Sequence, residues 1–163
     1  MVSSSKVWFI TGSSTGFGRA MAELLLKKGD KVVATLRKPE ALASLSSRYS
    51  RDQLLVLKLD VTKDDDIKAA FVEAHKAFGR IDVVFNNAGF LVIGEVEGAS
   101  EANARRLFET NFWGAASVSK EAVRFFREVN EPSGGRLLQV SSAVGLQGFA
   151  GVGFYSATKF GKK

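Results

Sequence analysis

Residues 11–18 read Thr11-Gly12-Ser13-Ser14-Thr15-Gly16-Phe17-Gly18, a glycine- and hydroxyl-rich stretch between two segments of different period. Before it, Lys6 to Thr11 is a short apolar run that predicts a strand, and after it Phe17 to Lys28 repeats its apolar residues at helical spacing. Glycines at such a junction let the backbone turn sharply and approach an anion, whose charge is met by unpaired N–H groups and the positive helix end. The same glycines would also serve close strand–helix packing with no ligand. Placement directly after a strand and before a helix is the context in which the pattern signifies phosphate binding. Gly12, Ser14, Thr15, Gly16, Phe17 and Gly18 are therefore candidate contacts to a pyrophosphate.

Outward from this loop the chain alternates apolar runs with helical patterns. Strands are predicted at Lys6 to Thr11, Lys31 to Thr35, Leu54 to Leu59, Ile81 to Phe85 and Arg136 to Ser141. Helices are predicted over Phe17 to Lys28, Pro39 to Arg48, Lys63 to Phe78 and Glu101 to Val129, with a last one starting near Gly153. Gly29 and Gly79 stand where helices take a left-handed closing residue. Thr62 is placed to cap the third helix, with Asp64, Asp65 and Asp66 near its positive end. Strands apolar on both faces and separated by helices imply an α/β fold, a parallel sheet covered on both sides.

In the helix predicted from Glu101 to Val129, Leu107, Asn111, Gly114, Val118, Ala122, Phe125 and Val129 follow at steps of three or four, so Asn111 shares the inward stripe. A hydrogen-bonded core amide is the plain alternative to a functional role. Phe108, Phe112, Ala115, Ser119 and Phe126 form a second stripe, expected to be open in a monomer.

Composition narrows the chemistry. The 163 residues contain no Cys and one His, His75, which speaks against thiol nucleophiles, thiolate metal sites and a Ser-His-Asp triad. The formal charge is +6, but Lys and Arg are scattered over helix surfaces instead of forming a stripe with aromatics, so no nucleic-acid partner is expected. No stretch reaches the roughly 18 apolar residues of a membrane span. The N-terminus lacks the apolar segment of a signal peptide, and the chain is placed in the cytosol. Length fits one domain, residues 1–163.

The second strand ends Thr35-Leu36-Arg37-Lys38 with no carboxylate. An acid there would accept from a ribose 2′-hydroxyl, whereas the Arg37 guanidinium suits a 2′-phosphate through bidentate hydrogen bonds and so selects NADP(H). Two solvated loop charges are the alternative. Asp60-Val61 closes the third strand, where it can bracket an adenine edge and face. Asn86-Asn87-Ala88-Gly89 closes the fourth, with Asn87, Ala88 and Gly89 offering small residues beside a ribose.

Near the end stand Ser141-Ser142 and Tyr155-Ser156-Ala157-Thr158-Lys159. Tyr155 and Lys159 are four apart and share a helix face, and a nearby ammonium favours the phenolate form of a tyrosine. Such a phenol suits general acid–base work on a carbonyl/alcohol pair. Alone, the Tyr-x-x-x-Lys spacing occurs on many surface helices.

Together, TGSSTGFG, Asp60-Val61, NNAG, Asn111, Ser142 and YSATK, in this order from Lys6 to about Phe160, resemble the short-chain dehydrogenase/reductase family. The resemblance implies a doubly wound, Rossmann-like sheet and an oxidoreductase that interconverts a carbonyl and an alcohol using NADP(H). It implies that Tyr155 transfers the proton, Ser142 hydrogen-bonds the reacting oxygen, Lys159 holds the nicotinamide ribose and tunes Tyr155, and Asn111 supports a proton-relay water. The segments NNAGFLVIGEVEG and SSAVGLQGFAGVGFYSATKF look most like members acting on apolar substrates, and members commonly form homodimers through the long helix. Family members continue into two further strands and a segment that closes over nicotinamide and substrate, whereas this sequence stops at Lys163. The expectation is a dinucleotide-binding domain lacking those last two strands, with Arg136 to Ser141 as an edge. A catalytically weak NADP(H)-binding module or interaction protein is the alternative function.

Overall fold

The computed structural model describes residues 5–162. Five strands, β1 (Val7–Thr11), β2 (Lys31–Leu36), β3 (Leu54–Lys58), β4 (Val83–Asn86) and β5 (Arg136–Gln139), form one sheet in the order β3-β2-β1-β4-β5. Every pairing is parallel, with Phe9 opposite Val33 on one side and Val84 on the other. The fold is thus the expected α/β arrangement, with β5 at an edge. The helices are α1 (Gly16–Lys27), α2 (Ala43–Ser46), α3 (Asp64–Phe78), α4 (Glu101–Phe108), α5 (Ala115–Arg124) and α6 (Gly153–Phe160).

Alternation along the strands builds two cores. Val7, Phe9, Val33 and Val84 face α3 and α5, meeting Ile67, Phe71, Val118 and Phe125; the Phe9 and Phe71 rings stack at 4.3 Å. Ile10, Val32 and Ala34 face the other way onto Leu25 and Leu26 of α1 and Leu42 and Leu45 around α2. Full burial of each large side chain contributes about 1.5–3 kcal/mol, so the central strands are anchored from both layers. Leu138 on the edge strand remains 39% exposed.

Gly29 and Gly79 take φ of +85° and +77°, as helix closure requires. Four local expectations need correction. Pro39 to Arg48 is a 3₁₀ turn (Pro39–Leu42) followed by the single turn of α2. Lys63, not Thr62, stands at the N-cap of α3 with an extended backbone, and the Thr62 hydroxyl instead donates to Asp60 Oδ1 at 2.8 Å. The long helix is not uniform: π turns at Glu109–Gly114 and Phe125–Val129 flank α5. The second apolar stripe is largely covered, with Ala115 and Phe126 buried and Phe108, Phe112 and Ser119 half-buried. Phe126 lies under Gly135, where a Cβ would fall 2.2 Å from its ring.

Candidate active site

The strand order reverses between β1 and β4, and in open parallel sheets the crevice beyond the carboxyl ends of such strands is where ligands bind. The ends of β1 and β4 are joined by Thr11. Its hydroxyl accepts from Asn87 N and Ala88 N, both at 2.9 Å, while Asn87 Nδ2 donates to the carbonyls of Thr11 (2.9 Å) and Gly12 (3.2 Å). Asn86 turns inward and donates to Ala115 O at 2.8 Å.

Above this lock the loop needs glycine. Gly12 has φ +70°, and a Cβ on it would meet Ala88 Cα at 3.0 Å; a Cβ on Gly18 would sit 2.3 Å from Gly12 O and 2.7 Å from Asn87 Nδ2. Gly16 has φ +57°. Thr15 is the N-cap of α1 yet makes no side-chain capping bond, and the first turn holds no acid, so its N–H groups and dipole are left to an anion. Ser14, Thr15, Gly16 and Phe17 are exposed around it.

Arg37 is exposed just past β2. Asp60 lies beyond β3, and Val61 beside it is buried against Gly114, whose Cβ would fall 2.7 Å from Val61 O. Burial pushes the Asp60 carboxyl up. Two hydrogen bonds from Thr62, with the charges of Arg37 and Lys63, outweigh this and hold it below its usual value.

On the other side of the crevice the chemistry-bearing side chains converge on α6. Lys159 is only 3% exposed; its Nζ donates to Val140 O at 3.0 Å and lies 5.5 Å from the Tyr155 ring centre. Burial lowers its pKa, with the neighbouring Lys162 acting in the opposite sense. Tyr155 is half-buried. Ser142 precedes a 3₁₀ turn (Ala143–Gly145) that packs on α6: a Cβ on Gly145 would come within 3.0 Å of Lys159 O. The Ser142 side chain caps nothing.

Asn111 is fully buried, and the first π turn carries it. Its Oδ1 accepts from Phe90 N at 3.0 Å, and its Nδ2 donates to Phe90 O at 2.8 Å and Thr158 Oγ1 at 3.3 Å. Thr158 Oγ1 in turn donates to Tyr155 O at 2.7 Å. Gly89 makes room for this amide, since its Cβ would be 2.9 Å from Asn111 Oδ1.

The sequence-predicted residues thus fall into three groups along one crevice. Gly12 to Gly18, Arg37, Asp60 and Val61 lie on one flank, Ser142, Tyr155 and Lys159 on the other, and Asn87, Ala88, Gly89 and Asn111 lie between. Thr11 and Thr158 went unassigned in the sequence. Thr11 ends a strand beside a glycine turn, and Thr158 stands three residues after Tyr155, so position alone was the available signal.

The short chain dehydrogenase family profile matches residues 6–163. The chain is 39% identical to Oxidoreductase BOA17 of Botryotinia fuckeliana over 96% of its own length and 56% of that protein's. It is 34% identical to the 3-ketodihydrosphingosine reductase of Bacteroides thetaiotaomicron, over 95% of the chain and 54% of the relative. A crystal structure of a short-chain dehydrogenase from Streptomyces avermitilis superposes with a TM-score of 0.89 at 38% identity, covering 98% of this chain and 57% of that one. The chain therefore spans about half the length of the relatives it matches.

Proposed function

Because the chain belongs to the short-chain dehydrogenase family, we propose that it binds NADP(H) and interconverts a carbonyl and an alcohol on a small apolar substrate. The cofactor fit rests on the cradle itself: Gly12, Gly18 and Gly89 each stand where a Cβ would collide with the loops after β1 and β4 or with Asn111, so the turn keeps its backbone closely packed, and the uncapped, acid-free start of α1 suits a pyrophosphate. Gly12, Ser14, Thr15, Gly16, Phe17 and Gly18 would hold the pyrophosphate, Arg37 the 2′-phosphate, and Asp60 and Val61 the adenine. Asn87, Ala88 and Gly89 would line the ribose side, and Tyr155 and Lys159 would hold the nicotinamide ribose. When bound, the nicotinamide supplies or takes the hydride.

The protein's own part is to move a proton. In reduction the Tyr155 hydroxyl gives its proton to the carbonyl oxygen as that oxygen gains charge, and Ser142 donates a hydrogen bond to the same oxygen. The Lys159 ammonium stabilises the resulting phenolate. Asn111 ties the loop after β4 to α6 and so sets where Tyr155 and Lys159 stand, with the remaining lone pair of Oδ1 available to a relay water.

The observation that carries this reading is the burial of Lys159. A lysine at 3% exposure, held by a carbonyl and not by a carboxylate, is costly, and its place four residues from Tyr155 gives that cost a use. The apolar-substrate reading draws support from Leu91, Ile93, Val96, Leu146 and Phe149, exposed on two loops joined by Gly94 N to Gly151 O at 2.8 Å. Among the described residues no helix is long and apolar enough to cross a membrane; a cytosolic setting and a homodimer through the long helix, where Trp113 is 57% exposed, complete the proposal.

The test is NADPH consumption with a panel of aliphatic and cyclic ketones, for the wild type and Tyr155→Phe. The variant is expected to lose about 10² to 10⁴ in rate while its NADPH affinity falls by no more than about tenfold, the effect of one lost hydrogen bond to the ribose. Full activity in Tyr155→Phe would overturn the mechanism, and NADPH binding with no turnover in the wild type would favour the binding-module alternative.

A further inference from the structure

The turn after β3 carries two side chains that the proposed function leaves unused, Thr62 and Asp66. Asp60 Oδ1 accepts from Thr62 N at 3.1 Å and from Thr62 Oγ1 at 2.8 Å. The backbone N–H of Asp60 donates to Asp66 Oδ2, also at 3.1 Å. Val61, the next residue, is pinned by the close approach of Gly114 to its carbonyl. Asp60 is therefore fixed on three sides: one carboxylate oxygen by Thr62, the backbone before it by Asp66, and the backbone after it by the long helix. Its second oxygen, Oδ2, receives no hydrogen bond within this turn.

We propose that Thr62 and Asp66 are positioning residues that set the base specificity of the nucleotide site, by aiming Asp60 Oδ2 to accept from the exocyclic amine of adenine. The inference rests on the reading that Asp60 meets the adenine edge. A carboxylate is an acceptor only, so it pairs with an amine at that ring position and is repelled by the carbonyl oxygen that hypoxanthine carries there. Fixing the carboxylate converts this chemical difference into affinity, because a carboxylate free to rotate would swing away from the wrong base at little cost. The low Asp60 pKa is consistent, since it keeps the acceptor ionised.

The experiment titrates NADPH and its hypoxanthine analogue by nucleotide fluorescence, with no need for turnover. A hydrogen bond to a charged group predicts that wild type favours NADPH over the analogue by about tenfold or more. Asp60→Asn should abolish the preference. Thr62→Val, at an exposed position, and Asp66→Ala should reduce it to under about threefold, whereas Thr62→Ser should keep it. A ratio of affinities is unmoved by a general loss of stability, so a merely structural role for Thr62 would leave it intact. If wild type shows no preference and Asp60→Asn changes neither affinity, the reading of Asp60 as the adenine contact fails. If wild type and Thr62→Val discriminate equally while Asp60→Asn does not, that reading stands and the positioning inference is overturned.

Discussion

The two flanks of the crevice are built differently. On the flank of β1 and α1, backbone meets backbone: Gly18 stands against Gly12 O, Thr11 takes two N–H groups of the β4 loop, and Asp60 is tied on three sides. On the flank of α6, Lys159 is buried and bonded, and Asn111 reaches α6 from between the flanks through Thr158, but the loops around them are open, with Ile93 at 76% and Leu146 at 73% exposure. The difference teaches where selection on geometry is strict. On the proposed function, a pyrophosphate would require backbone within hydrogen-bond reach and tolerate no extra methyl, whereas the substrate side would ask for anchored side chains and leave its wall to open loops.

Paired glycine substitutions break or sharpen this contrast most. Gly18→Ala forces a methyl to 2.3 Å from Gly12 O, and such overpacking costs about 1–3 kcal/mol. The expected result is a fall in NADPH affinity of roughly tenfold to a hundredfold, read by fluorescence titration. Gly148→Ala, on the open flank with nothing within 4 Å of its Cβ, should leave affinity unchanged and raise stability slightly through a less flexible unfolded chain. Equal effects at the two positions would erase the distinction between the flanks.

A smaller effect is expected with pH on the α6 flank. Lys162 is pushed down to about 7, first by burial and then by the charge of Lys159, from a usual value near 10.5. The folded state therefore binds fewer protons than the unfolded state between these values, and stability rises with pH across that window. The penalty is complete below about 7 and fades toward 10.5. Thermal unfolding should show a midpoint that climbs from pH 7 to pH 10 and a shallower climb in Lys162→Met; identical slopes would refute the assignment.

The same contrast governed what the sequence made legible. All five strands fall within two residues of expectation because their period and glycine punctuation are local signals, and the burial of Asn111 followed from its place on the inward stripe. The π turn that carries Asn111 was not legible, since one extra residue in a turn barely disturbs a spacing of three or four, and its cause is tertiary: Gly114 pressed on Val61 and Asn111 bonded to Phe90. Thr62 was misread as a cap because helix boundaries are poorly marked in sequence: α3 starts one residue later, with Lys63 at the cap position, and the Thr62 hydroxyl instead turns to donate to the Asp60 carboxylate. The covering of Phe126 by Gly135 joins residues that no local pattern connects.

The most direct test of the account is nucleotide selectivity on the flank of β1 and β2, where Arg37 stands in place of an acid just past the end of β2. NADPH and NADH are titrated against wild type and Arg37→Ala. The account predicts that wild type binds NADPH at least about tenfold more tightly than NADH, and that Arg37→Ala loses about 1.5 to 3 kcal/mol toward NADPH while its NADH affinity stays within about twofold. Tighter binding of NADH by wild type, or equal weakening of both nucleotides in the variant, would contradict it.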